Sequence, residues 1–176
     1  WQRRIKETIG DPQPSKNQYH LFMHLIPIPQ HTDKTLALYA SEDCQFVLQM
    51  YDDFYPKIGY VMPWVGYFVV REDQIVGSCS FVGQPQQGRI EIAYYTFQAF
   101  EGQGIASFAC RELISIACQA DPDVTITART APEHNASTRI LANNQFIFSE
   151  IVQDEEIGDA WLWVHHRIKP DMPDQV

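Results

Sequence analysis

The sequence predicts an α+β fold in which helices flank one mixed, mostly antiparallel sheet. Three strand-like segments follow one another in the middle of the chain, at 65–71, 74–82 and 89–97, and only short polar turns separate them. Helical spacing of apolar residues appears on either side of this run, at 41–54 and 105–118. Because three strands follow one another with no helix between them, a doubly wound nucleotide-binding domain is not expected.

The 176 residues suffice for one domain and leave no room for a second independent core. Residues 1–18 are polar and contain proline, so we expect an N-terminal arm, then the domain at 19–167 and a tail at 168–176. No apolar stretch is long enough to span a membrane. The first residues do not resemble a secretion signal, so we expect a cytoplasmic protein.

The first part of the domain carries local start and stop signals. Strand formers at 19–28 predict a first strand, and a short helix is expected over 33–39. Ser41 can cap the next helix, with Glu42 and Asp43 in its first turn. This helix is expected to end near 54, because Pro56, Gly59 and Pro63 predict a loop. The dipeptide Glu72-Asp73 then joins the first two strands of the central run as a tight hairpin.

The second part continues with a helix whose apolar residues share one face. The elements expected there are the helix 105–118, a strand 124–128, a short helix 135–143, and the strands 146–152 and 160–166. An acidic loop at 153–159 is expected between the last two strands.

Charge and cysteine usage exclude some classes of function. The formal net charge of −9 disfavours a nucleic-acid substrate, because phosphate contacts need clustered Lys and Arg. An acidic surface favours a cationic substrate such as an amine. The four cysteines are scattered without the short paired spacing of a zinc site, and His165 and His166 would point to opposite faces of a strand. We therefore expect reduced thiols and no metal.

A glycine-bearing turn precedes the helix that starts near Ile105. Gly102 and Gly104 let backbone amides approach a ligand closely. The first turn of the helix adds unpaired N–H groups and the positive end of its dipole. Together these features make an anion site suited to a pyrophosphate, although a tight strand-to-helix turn without a ligand has the same pattern.

Three ordered blocks then carry a resemblance to a family. Residues 100–106 (FEGQGIA) resemble the coenzyme A signature of the GNAT acetyltransferases, Arg/Gln-x-x-Gly-x-Gly/Ala. Gly104 and Ala106 match its last two fixed positions, whereas Glu101 stands where the family has Arg or Gln. Residues 132–141 (PEHNASTRIL) are similar to a block of the branch that includes the ribosomal-protein N-terminal acetyltransferases. Residues 158–163 (GDAWLW) resemble the Gly-x-x-Trp-x-Trp end of some members.

The resemblance implies a GNAT domain with a splayed pair of central strands. It implies transfer of an acetyl group from acetyl-coenzyme A to a primary amine, either on a small molecule or at a peptide N-terminus. The pantetheine arm would pair with the strand around 94–97, and a homodimer is left open. The residues expected to bind the cofactor are Tyr94, Thr96, Phe97, Gly102, Gln103, Gly104, Ile105, Ala106, Ser107 and Asn135.

The resemblance also proposes catalytic residues. Glu91 lies in the strand that would carry the thioester, so it is the first candidate for the base that removes the amine proton. Its alternative role is that of a solvent-facing residue or an ion-pair partner of Arg89 or Arg139. Tyr94 and Tyr95 alternate across this strand, so we expect one of them, taken to be Tyr95, to line the active cleft and the other to be core.

Many family members carry a tyrosine in the last helix that protonates the leaving thiolate, and no tyrosine follows Ala131 here. Ser137 is the available hydroxyl, with an ordinary place in a first helical turn as its alternative. This departure, together with Glu101, keeps open a second reading. In it the chain is a catalytically inactive GNAT scaffold that binds acyl-coenzyme A as a sensor or a subunit of a complex.

Overall fold

The structure of the protein, a computed structural model, describes residues 23–155 and 157–167. The predicted arm 1–18 and tail 168–176 lie outside this part of the chain. Seven strands form one sheet in the order β1-β2-β3-β4-β5-β7-β6, in which only the β4–β5 pair is parallel. The strands are β1 (Met23–Pro27), β2 (Gly66–Arg71), β3 (Gln74–Phe81), β4 (Arg89–Thr96), β5 (Thr125–Thr130), β6 (Phe146–Asp154) and β7 (Gly158–His165). The helices are α1 (Glu42–Ile58), α2 (Ile105–Ala120) and α3 (Ala136–Asn143). The predicted α+β class with a mostly antiparallel mixed sheet is confirmed.

Helices α1 and α2 cover opposite faces of the sheet. The hydroxyl of Tyr51 in α1 interacts with Ser80 of β3. Ile105, the first residue of α2, lies against Gly77 of the same strand, where its Cγ2 would be 3.3 Å from an added Cβ. Positions 77 and 80 of β3 point to opposite faces, because side chains alternate along a strand. The sheet therefore has an α1 face and an α2 face.

The two central strands separate part of the way along their length. The parallel ladder between β4 and β5 stops at the pair Glu91–Thr127, whereas β4 runs on to Thr96 and β5 to Thr130. Beyond this point β4 pairs with β3 and β5 pairs with β7. The separation opens a wedge in the sheet, and there the edge of β4 that faces β5 has no partner strand in the described part of the chain. This is the predicted splay.

Several local predictions are confirmed by the backbone. Glu72 and Asp73 have φ of 49° and 62°, which is the left-handed pair that a two-residue hairpin of the I′ type requires. The Ser41 side chain accepts a hydrogen bond from the Cys44 amide at 3.2 Å and caps α1. The first strand is described from Met23 onwards, so the predicted residues 19–22 lie outside the described part.

Two predictions near α1 are wrong. A helix was expected over 33–39, and the structure has only a short 3-10 turn at Ala37–Tyr39. The Asp33 carboxylate accepts hydrogen bonds from both the amide and the hydroxyl of Thr35, and this local pairing competes with a helix. Pro56 was expected to lie beyond the helix, yet α1 continues to Ile58 and ends at Gly59, where φ is 83°.

The acidic loop predicted at 153–159 is largely strand. β6 extends to Asp154 and β7 begins at Gly158, so these strands form a hairpin with a short turn. Gly158 has φ of 77°, a conformation that allows the chain to reverse tightly here. In the described part of the chain, no helix combines the length and apolar character needed to cross a membrane.

Candidate active site

A cavity of about 630 Å³ lies beside the end of β4, beyond the point where β4 leaves β5. The turn before α2 forms one wall, the end of β4 forms its floor, and the first turns of α3 form the opposite wall. Its lining residues are Tyr94, Tyr95, Thr96, Glu101, Gly102, Gly104, Ile105, Ala106, Ser107, Ala136, Ser137, Arg139, Ile140 and Asn143. The cavity thus joins three elements that are far apart in the sequence.

The turn before α2 presents backbone amides to this cavity. Gly104 is the N-cap of α2 in the left-handed conformation, with φ of 81°, and no side chain among the described residues caps the helix. The first amides of α2 therefore have no side-chain acceptor. Gly102 has φ of 71°, and a Cβ added there would meet no protein atom within 4 Å. Free N–H groups at a helix N-terminus beside open space form a site for an anion such as a pyrophosphate.

The floor of the cavity contains a buried hydroxyl without a partner. Thr96 Oγ1 is buried and makes no hydrogen bond within the described residues. A buried polar atom without a partner costs free energy, and Thr96 is one of the residues that line the cavity. Next to it, the Tyr94 hydroxyl donates to the backbone oxygen of Ser137 at 3.3 Å and links β4 to α3. Burial raises the pKa of Tyr94, which stays neutral at physiological pH.

The start of α3 is held by a capping box. The Asn135 side chain accepts from the Thr138 amide at 3.2 Å, and the Thr138 hydroxyl accepts from the Asn135 amide at 3.0 Å. Asn135 Nδ2 donates to Glu133 at 3.1 Å. Leu141 is fully buried and anchors the helix on the core. The expected capping role of Asn135 is present, and its side chain is engaged within the protein rather than exposed in the cavity.

Glu91 lies on the other face of the sheet. Tyr94 pairs with Cys79, which puts it on the α2 face, so Glu91 and Tyr95 point to the α1 face. The Glu91 carboxylate is 3.3 Å from Nε of Arg129, and Nη1 of Arg129 is 3.2 Å from Asp154. Burial raises the pKa of Glu91, Arg129 opposes this effect, and Asp154 adds to it. The arrangement is a partly buried carboxylate at the end of the β4–β5 ladder, where the wedge begins.

Most of the predicted site residues come together, with some differences. The predicted base Glu91, which points to the α1 face, does not line the cavity. Of the predicted cofactor residues, Phe97, Gln103 and Asn135 do not line it either; Phe97 is buried in the core. Only one of Tyr94 and Tyr95 was expected in the cleft, and both are among the residues that line the cavity. The ion-pair partner of Glu91 is Arg129, not Arg89 or Arg139.

Five lining residues were not predicted. Four belong to α3: Ala136, Arg139, Ile140 and Asn143. Their spacing of three or four residues marks one helix face, and this signal would have found them. The fifth is Glu101, which lines the cavity beside the glycines.

Comparisons with known proteins identify the family. The profile described as "Acetyltransferase (GNAT) domain" matches residues 14–147. The chain therefore belongs to the GNAT acetyltransferase family, as its motifs predicted. No match is found among curated proteins.

Solved structures show the same fold. A ribosomal L7/L12 alpha-N-protein acetyltransferase, RimL, in its apo form is 18% identical with a TM-score of 0.61, and the alignment covers 82% of this chain and 92% of that one. The same enzyme in complex with coenzyme A is 19% identical with a TM-score of 0.55, covering 70% and 71% of the two chains. A putative acetyltransferase from Acinetobacter baylyi is 15% identical with a TM-score of 0.60, covering 86% and 97%.

Proposed function

We propose that this GNAT acetyltransferase binds acetyl-coenzyme A in the β4–β5 wedge and transfers the acetyl group to a primary amine that approaches from the α1 face. The observation that carries the proposal is the separation of β4 from β5 directly beside an uncapped helix N-terminus. The free strand edge is a place for an extended amide chain, and the helix terminus is a place for phosphates. Coenzyme A combines both chemical features.

The chain's own groups match the parts of this substrate. The amides from Gly102 to Ser107 would hold the pyrophosphate, and the backbone of β4 from Tyr94 onwards would pair with the pantetheine amides. We propose the hydroxyl of Thr96, which has no partner among the described residues, as a further group that bonds to this arm. Gln103 and Asn135 would act indirectly, since the first bonds to Arg71 and the second caps α3.

In the proposed reaction the thioester lies in the wedge and the amine reaches it from the α1 face. A neutral amine attacks the thioester carbonyl, a C–N bond forms, and the C–S bond breaks as the coenzyme A thiolate leaves. Glu91, on the α1 face, would take the amine proton directly or through water. A backbone N–H of β4 would stabilise the developing oxyanion. Ser137, which lines the cavity on α3, is the hydroxyl proposed to protonate the thiolate, and Tyr95 would border the acceptor.

The acceptor is proposed as a class. The RimL enzyme is described as acting on the ribosomal protein L7/L12, and by analogy a peptide N-terminus is one acceptor to test alongside small amines. We place the protein in the cytoplasm, where the free thiols Cys44, Cys79, Cys110 and Cys118 would stay reduced. A homodimer is also proposed, because strand β6 is an edge of the sheet and exposes Ile147, Phe148 and Ile151.

A screen for thiol release tests the proposal. Purified protein and acetyl-coenzyme A are incubated with a panel of small primary amines and of short peptides with free N-termini, and free thiol is measured over time. Release that depends on an added amine, with the acetylated product seen by mass spectrometry, is the expected result. Binding of coenzyme A without release across the whole panel would instead support the inactive scaffold.

A further inference from the structure

The charged residues that line the cavity suit the negatively charged coenzyme A only if the positive one contacts it. Of the lining residues, Glu101 and Arg139 are the two that carry a formal charge. Coenzyme A brings several negative charges on its pyrophosphate and its ribose phosphate. Glu101 stands where the family has Arg or Gln, so a cationic or neutral side chain before the glycines is replaced by a carboxylate that repels phosphate. Among the lining residues, the glycine turn before α2 therefore contributes no positively charged side chain.

Arg139 lies on the opposite wall, in the first turns of α3. Its residue is exposed, and its guanidinium makes no ion pair or hydrogen bond with any residue the structure describes. Other arginines near the wedge are engaged: Arg129 bridges Glu91 and Asp154, and Arg71 donates to Gln103 at 2.9 Å and lies over the ring of Phe100. Arg139 is thus an uncommitted guanidinium at the cavity, on the side away from Glu101.

The position of Arg139 is fixed by its helix. The capping box of α3 holds the preceding turn, and the Arg139 amide donates to the Asn135 carbonyl at 3.2 Å. The buried Leu141 ties the same turn to the core. The backbone of Arg139 is therefore held in place, and the side chain is what orders when it binds a ligand.

We propose that Arg139 binds a phosphate of coenzyme A and supplies the cation that Glu101 does not. A guanidinium can form two parallel hydrogen bonds to phosphate oxygens, and such charge-assisted bonds are stronger than neutral ones. Both walls of the cavity would then bind phosphate, one through backbone amides of α2 and the other through the Arg139 side chain. This inference rests on the proposed use of coenzyme A as the substrate.

Calorimetric titration of wild type, Arg139→Gln and Arg139→Lys tests the assignment with three probes: coenzyme A, its analogue without the 3′-phosphate, and pantetheine. Arg139→Gln should weaken coenzyme A binding about tenfold or more, and Arg139→Lys should lose less because it keeps the charge. Binding of the Gln variant should also depend less on salt. An equal loss with the dephosphorylated analogue assigns Arg139 to the pyrophosphate, and no loss with it assigns Arg139 to the 3′-phosphate.

The matched control is Arg89→Gln, an exposed arginine at the start of β4 that does not line the cavity. It should bind coenzyme A like wild type. Unchanged affinity for coenzyme A in Arg139→Gln would overturn the inference. An equal loss of affinity for pantetheine would also overturn it, because pantetheine has no phosphate. Failure of the proposed function looks different: wild type would then either bind none of the coenzyme A probes or bind them without amine-dependent thiol release.

Discussion

Replacing Glu91 by Gln removes the proposed base while keeping the shape of the side chain. The carboxylate is partly buried beside the wedge and paired with Arg129. A glutamine cannot accept the amine proton, so turnover should fall about a hundredfold or more, whereas acetyl-coenzyme A should still bind. A hundredfold loss corresponds to about 2.7 kcal/mol of transition-state stabilisation.

The same change should cost little stability. Arg129 keeps its contact with Asp154 at 3.2 Å, so no cation is left unpaired. The pair with Glu91 is partly exposed to solvent, at 40% for Arg129 and 24% for Glu91, and ion pairs of this kind contribute up to about 1 kcal/mol. Burial opposes that gain, because it disfavours the charged carboxylate. The free energy of unfolding should therefore change by no more than about 1 kcal/mol.

The pH dependence has a definite sign. Because the pKa of Glu91 is raised above its ordinary value of 4.5, the carboxylate protonates at a higher pH than a solvent-exposed glutamate would. Wild-type turnover should fall as the pH drops through this pKa, and the ratio of wild type to variant should shrink there. The raised pKa also affects stability: Glu91 favours the folded state at low pH, and this contribution to the free energy of unfolding is lost as the pH rises through the folded-state pKa. The stability of Glu91→Gln relative to wild type should thus increase as the pH rises.

Thiol release at saturating acetyl-coenzyme A, with the best amine from the screen, measures the effect across a pH series. Glu150→Gln is the matched control, because Glu150 is exposed on β6 and lies in the same cross-strand row as Arg129. It should keep near-normal turnover. Near-normal turnover in folded Glu91→Gln would refute the assignment, as would a loss that follows the unfolded fraction.

Four further changes test other parts of the site. Gly104→Val should abolish coenzyme A binding in calorimetry, because a β-branched residue disfavours the left-handed N-cap and its side chain would fill ligand space. Unchanged affinity in a folded variant would contradict the proposed binding of phosphate by the turn before α2. Glu101→Gln should raise that affinity, since the carboxylate lines the cavity; a large loss would show that it supports the ligand. Ser137→Ala should lower turnover less than Glu91→Gln does, because a thiolate leaves without an acid. Gly77→Ala should lower the free energy of unfolding by about 1–3 kcal/mol, and Tm by about 2–4 °C for each kcal/mol, because its Cβ would lie 2.6 Å from the backbone oxygen of Tyr95; a wild-type Tm would show that β3 and β4 can move apart.

Local signals in the sequence predict much of this fold. The Glu72-Asp73 turn, the Ser41 cap and the glycines before α2 each act within a few residues, so their geometry follows from local chemistry. The prediction at 33–39 failed for a local reason too, since an aspartate that bonds to Thr35 can replace a helical turn.

The side-chain contacts around the wedge are harder to predict from the sequence. Glu91 meets Arg129 because β4 and β5 are parallel neighbours, although a helix lies between them in the chain. Arg139 lines the same cavity as the glycine turn because α3 packs near α2. Such contacts depend on strand order and on the separation of two strands, and neither is encoded by spacing within one segment.

A crystal structure of the protein with coenzyme A tests the central claim most directly. The account predicts phosphate oxygens within hydrogen-bond distance of the amides from Gly102 to Ser107, and a pantetheine arm paired with the free edge of β4 near Thr96. The sulfur should end at the point where β4 leaves β5, within reach of the α1 face and Glu91. Coenzyme A bound elsewhere, with the wedge closed by protein, would contradict the account.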